Sequence, residues 1–144
     1  GEISESYDIS TVGYGATLNE VNSYIGYKQM SADFEKLLTQ QSLNAREWST
    51  VLNDKKINIE PLSLIPYSKP NYWVWGFFTE RKAELIDFFR ARGFYASSVH
   101  LNNNRYSLFG DQRDLPGVSE FYKRFVALPA GWWVNVKNIE EFDV

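Results

Sequence analysis

Among its 144 residues the chain has no cysteine, one histidine and one methionine. Without thiols it can form neither a disulfide scaffold nor a cysteine nucleophile, and a lone imidazole cannot complete a structural zinc site. Long apolar runs are missing too. The longest free of Pro is Tyr72 to Phe78, far short of the roughly 20 residues of a membrane helix, and no basic-then-apolar leader opens the chain. Nor is there an excess of positive charge: 15 Lys plus Arg stand against 18 Asp plus Glu, a net charge of −3. That balance is the opposite of the footprint phosphate backbones select. These absences argue against nucleic acid and membrane as partners and set the expectation of a soluble, cytoplasmic protein. The chain opens at Gly1 rather than Met, read as an expression remnant or a cut inside a longer polypeptide.

Aromatic surface is abundant: 10 Phe, 9 Tyr and 5 Trp within an apolar share of 44%. That is enough for one core and one domain spanning 1–144, with neither an internal repeat nor a low-complexity tract. Residues 1–16 form a polar lead-in. Thr17-Leu18-Asn19-Glu20 has the form of a capping box. Apolar residues recur at Leu18, Val21 and Ile25, then at Phe34, Leu38, Ala45, Trp48 and Leu52. The spacing predicts a long amphipathic helix to about Leu52, jogged near Gly26 or Ser31. Pro61, Pro66 and Pro70 mark an extended connector.

Tyr72 to Phe78 reads as a strand covered on both faces. Thr79 is placed to cap a helix from Glu80 to Arg92, with Leu85, Ile86 and Phe89 as its stripe and Gly93 as its stop. Phe94 to His100 reads as a second strand and Leu101 to Leu115 as a polar loop. Val118, Phe121, Tyr122 and Phe125 form a short helix after Pro116, Val126 to Pro129 a third strand, and a last helix starts near Asn135. The resulting class is α+β: a long N-terminal helix, then a small, mainly antiparallel sheet packed with helices.

Chemistry is sparse. Gly13-x-Gly15 has the start of a dinucleotide fingerprint, but Leu18 stands where its third Gly belongs. The bland alternative is a relaxed turn before a helix, and backbone amides at a helix start near Thr17 would still suit an anion. His100 sits where a strand feeds the loop Leu101-Asn102-Asn103-Asn104-Arg105-Tyr106, and Arg105 has the planar fork that holds carboxylate or phosphate. Against this, a lone His is commonly structural and loop arginines are commonly solvated. The carboxylate pairs Glu140 with Glu141 and Asp33 with Glu35 do not face a common point. Trp73, Trp75, Trp132 and Trp133 could stack a base or a sugar, yet core is the commoner fate of such residues. No Ser-His-Asp set has geometric support.

Several segments taken together resemble one family. Gly13-Tyr14-Gly15-Ala16-Thr17-Leu18-Asn19-Glu20, continuing through Ile25-Gly26 to Gln29-Met30, is similar without a gap to the Gly-Tyr-Asn-Tyr-Arg-Met-x-Glu segment of the DegT/DnrJ/EryC1/StrS sugar-nucleotide aminotransferases. Pro70-Asn71-Tyr72-Trp73 resembles the same family, as does the stretch from Val99-His100 through Asn103, Arg105, Tyr106, Ser107 and Phe109. Asp114-Leu115-Pro116-Gly117 and Leu128-Pro129 before Gly131-Trp132-Trp133 complete the set. The resemblance covers nearly the whole chain and matches only the carboxyl-terminal part of such an enzyme.

The resemblance implies the small domain of a fold-type-I transferase dependent on pyridoxal phosphate. The large domain with the Schiff-base Lys is absent, and none of the eight Lys present stands in its context. It implies cofactor-phosphate contacts at Tyr14, Gly15 and Thr17, although the family's Asn and Arg are here Gly15 and Thr17. It also implies a sugar-nucleotide wall at His100, Asn102, Asn103, Arg105 and Tyr106, an amino-acid donor, and a homo-oligomer. On this reading the chain is one part of an enzyme and inactive alone. The alternative is a binding module for a sugar nucleotide or a protein.

Overall fold

The computed structural model describes residues 8–13, 15, 17–110 and 113–139. Helix α1, Glu20–Met30, starts later than the capping box places it. Asn19 is its cap, its side chain accepting from the Asn22 N–H at 2.9 Å. Asn caps as well as Thr, and this placement puts Glu20 in the first turn, where the helix dipole favours an anion. The expected single helix is two. At Ser31 the hydroxyl and the backbone N–H both turn back onto the Tyr27 carbonyl, and α2 begins afresh as Phe34–Asp54.

Only the second half of α2 enters the core, through Ala45, Trp48, Val51 and Leu52 at steps of three, three and one. Helix α1 buries nothing: Val21, Tyr24 and Ile25 are exposed, as is Leu18 just before its cap.

The sheet has three antiparallel strands in the order β1, β2, β3. β1 is only Glu60–Pro61, β2 is Val74–Phe78 and β3 is Phe125–Pro129. β2 pairs with β3 along its whole length, from Val74 opposite Pro129 to Phe78 opposite Phe125. Trp75 and Phe77 are buried and their neighbours half-buried, as expected of a strand covered on both faces. At Gly76 the sheet closes tightly: a Cβ there would lie 2.6 Å from the Phe125 ring.

Helix α3, Lys82–Arg90, starts two residues later than expected. Thr79 still caps the turn before it, its hydroxyl accepting from the Arg81 N–H at 3.1 Å. Gly93, at φ +82°, ends the helix as expected. The Gly93 N–H bonds to the Arg90 carbonyl and the Phe94 N–H to the Phe89 carbonyl, the paired bonds of a Schellman stop.

The strand expected over Phe94–His100 shrinks to a single bridge, Ser97 opposite Ala127. Phe94 and Ala96 do turn into the core, but the chain swings off β3 immediately afterwards, at Val99. The helix expected near Asn135 is a 3₁₀ turn, Val136–Ile139, with both end residues buried.

The core lies between α2, α3 and the sheet. Trp48 is fully buried and meets Phe89 and Phe94 edge-on, at centroid distances of 5.8 and 4.9 Å, the geometry aromatic quadrupoles favour. Its indole N–H is satisfied by the Pro129 carbonyl at 2.9 Å. Among the described residues no helix is long and apolar enough to cross a membrane.

Candidate functional site

The segment after Ser97 is pinned at its base and strained just above it. Ser97 and Ala127 exchange both backbone hydrogen bonds, at 2.8 and 3.1 Å. The Ser97 hydroxyl then accepts from the Val99 N–H, and the His100 N–H closes onto the Ser98 carbonyl at 2.8 Å. This three-residue turn holds Val99 at φ +64°. A β-branched residue in that region costs on the order of 1–3 kcal/mol and persists only where surrounding contacts impose it.

Beyond the turn the chain makes two 3₁₀ turns, Asn103–Arg105 and Ser107–Phe109. Tyr106 between them is buried. The second turn is tied down from the other end of the chain. The Asp8 carboxylate accepts from the Ser107 N–H at 2.8 Å and from the Ser107 hydroxyl at 2.5 Å, and the Leu108 N–H bonds to the Ile9 carbonyl at 2.9 Å. The hydroxyl contact, then the N–H, hold the Asp8 carboxyl below its ordinary pKa.

This loop forms one wall of a cavity of about 380 Å³, lined by Asn102, Asn104, Arg105 and Tyr122. Asn104 is fixed by donating to the Arg113 carbonyl at 3.0 Å. Tyr122 comes from helix α4, Pro116–Arg124. The described lining thus offers a cation, two amides and one aromatic ring, a set suited to a polar anionic ligand with a planar part. Among the described lining residues there is no nucleophile paired with a base.

Of the residues singled out from sequence, Asn102 and Arg105 meet in this cavity. His100 and Asn103 are exposed and stand outside its described lining, and Tyr106 serves as the buried anchor of the loop. Sequence reasoning missed two lining residues. Asn104 has no signal that separates it from Asn102 and Asn103, and Tyr122 reads as part of the apolar stripe of a short helix. Only the fold, which brings α4 beside the loop, identifies them.

The other candidates disperse. Tyr14 lies outside the described residues, as do Glu140 and Glu141. Gly15 and Thr17 are exposed, and a Cβ at Gly15 would meet nothing within 4 Å. Asn19 already occupies a first-turn amide of α1. A phosphate there would find a hydroxyl and backbone amides where the resemblance places an Arg, so Gly15 and Thr17 do not by themselves fit pyridoxal phosphate. Asp33 pairs with Lys36 at the surface at 2.7 Å. No group of three His, Asp or Glu among the described residues could hold a metal ion.

Of the four tryptophans weighed as stacking groups, Trp73, Trp75, Trp132 and Trp133, only Trp75 joins Trp48 in the core. Trp73 is exposed beside a second cavity of about 460 Å³, formed by the proline connector and β2. Trp132 and Trp133 stand exposed after β3, edge-on at 5.5 Å, with the Trp133 ring lying where a Cβ on Gly131 would be.

No family model and no curated protein matches the chain. Solved structures do share its fold. The sugar aminotransferase CalS13 from Micromonospora echinospora superposes with a TM-score of 0.70 at 22% identity, over 89% of this chain and 36% of its own. AtS13 from Actinomadura melliaura gives 0.71 at 22% identity, over 94% and 36%. Helicobacter pylori PseC, an aminotransferase involved in the biosynthesis of pseudoaminic acid, gives 0.70 at 18% identity, over 96% and 39%. Identity at this level establishes the fold, and the chain spans well under half the length of each of these proteins.

Proposed function

We propose that the chain is the small domain of a pyridoxal-phosphate-dependent aminotransferase that moves an amino group from an amino acid such as glutamate to a keto-sugar nucleotide. The supporting observation is the fold shared with sugar aminotransferases over nearly all of this chain, together with a cavity whose lining suits a sugar nucleotide. In this reading residues 1–144 act as one domain, and residues outside the chain hold the cofactor and supply its carbon-acid chemistry. The chain alone neither binds the cofactor productively nor turns over. Its own residues bind substrate: Arg105 pairs with a diphosphate oxygen through a charge-assisted contact, and Asn102 hydrogen-bonds a hydroxyl. The exposed face of α1 meets a second subunit, giving a homo-oligomer.

The test uses the full product of the gene that encodes this chain, supplied with pyridoxal phosphate, glutamate and a panel of keto-sugar nucleotides. Amino-sugar product is expected, and Arg105→Ala should raise the sugar-nucleotide KM about tenfold, corresponding to about 1.4 kcal/mol of lost binding. No product from any nucleotide, or an unchanged KM in the variant, would overturn this reading. Turnover by the purified 144-residue chain would refute its predicted silence.

A further inference from the structure

The cavity's wall from α4 is one ring, Tyr122, and that ring is held from a different helix. The Lys82 ammonium lies 3.8 Å from the Tyr122 ring centroid and donates to the Tyr122 backbone carbonyl. Lys82 is half-buried and is the first residue of α3. A cation there faces the positive end of the helix dipole, where anions are favoured. Its position therefore works against its own helix, while these two contacts favour Tyr122: a partly desolvated cation on a π face, plus a charge-assisted hydrogen bond to the same residue.

We propose that Lys82 is a positioning residue that fixes Tyr122 as the stacking platform for the base of a nucleoside diphosphate. Tyr122 supplies the one aromatic ring among the described lining residues. Arg105 in the same lining takes the phosphates, so a ligand with a planar end and an anionic end satisfies both. The inference rests on the substrate reading above and goes beyond it by assigning the base-stacking group and the side chain that supports it. Stacking on one ring tolerates different bases, because every base has a π face.

The full gene product is titrated with uridine diphosphate and thymidine diphosphate by calorimetry, in the native protein and in Lys82→Met, Lys82→Gln and Lys82→Arg. At least one diphosphate is expected to bind the native protein. Lys82→Met should weaken it about fivefold, Lys82→Gln, which keeps a donor without the charge, nearly as much, and Lys82→Arg less than twofold. Lys82→Met added to Tyr122→Leu should cost nothing further, a coupling that a general stability role would not produce. Equal affinity across the Lys82 series, or a full additional loss in the Tyr122→Leu background, overturns the positioning role and leaves the substrate reading standing. Failure of both diphosphates to bind the native protein overturns the two together. If Lys82→Met does not fold, the Gln and Arg variants decide the same question.

Discussion

Asn44 ties more of the molecule together than its size suggests. It is buried on α2, donates to the Gly131 carbonyl at 2.8 Å and the Val134 carbonyl at 3.1 Å, and accepts from Gln40 at 2.9 Å. It thereby fastens the turn after β3 to the helix beneath. Asn44→Ala would strand those carbonyls and should lower unfolding free energy by about 1–3 kcal/mol in urea titrations. A second single-residue effect concerns Asp8. Because its carboxyl is held below the ordinary value, the tether to Ser107 is present above about pH 4 and is lost as pH falls through the lower folded value. Amide resonances of Ser107 and Leu108 should shift together in that acid range, whereas in Asp8→Asn that step should be missing.

At the scale of elements, α1 and α4 both lack buried residues, and α1 is the longer, with all of its 11 residues exposed except the half-buried Gly26. Val21 and Ile25, four residues apart, share one side of it, with exposed Leu18 just before the Asn19 cap, and exposed apolar groups of this kind favour association. Sedimentation across a concentration series should show dimers or larger species, and Ile25→Glu should shift the population toward monomer. The elements legible in the sequence were those whose signals are local. β2 announced itself by apolar residues on both alternating sets, α3 by the Leu85 and Phe89 stripe before Gly93, and α4 by Pro116. Thr17 misled because Asn19, two residues on, caps equally well. Phe94–His100 misled because its strand character is cut short by the turn at Val99, where no Gly signals a positive φ. At the site, Asn102 and Arg105 were legible as polar residues after a strand end. Asn104 and Tyr122 were not, since Asn104 carries the same local signal as the Asn beside it and Tyr122 reaches the loop only through the packing of α4.

For the molecule as a whole, the small sheet has two unlike margins. On one side β1 is two residues long and ends in Pro61, which has no N–H to offer. On the other, the run beside β3 stops after one bridge. Neither border presents the row of free donors and acceptors that templates growth of stacked strands, even though Tyr72 to Phe78 alone has the apolar, aromatic composition of a fibril-forming segment. Association of the native chain should therefore be reversible on dilution and leave thioflavin fluorescence flat at concentrations that produce oligomers. Gly76→Val, whose side chain would collide with the Phe125 ring and part β2 from β3, should release that segment and convert the same solutions to thioflavin-positive aggregate.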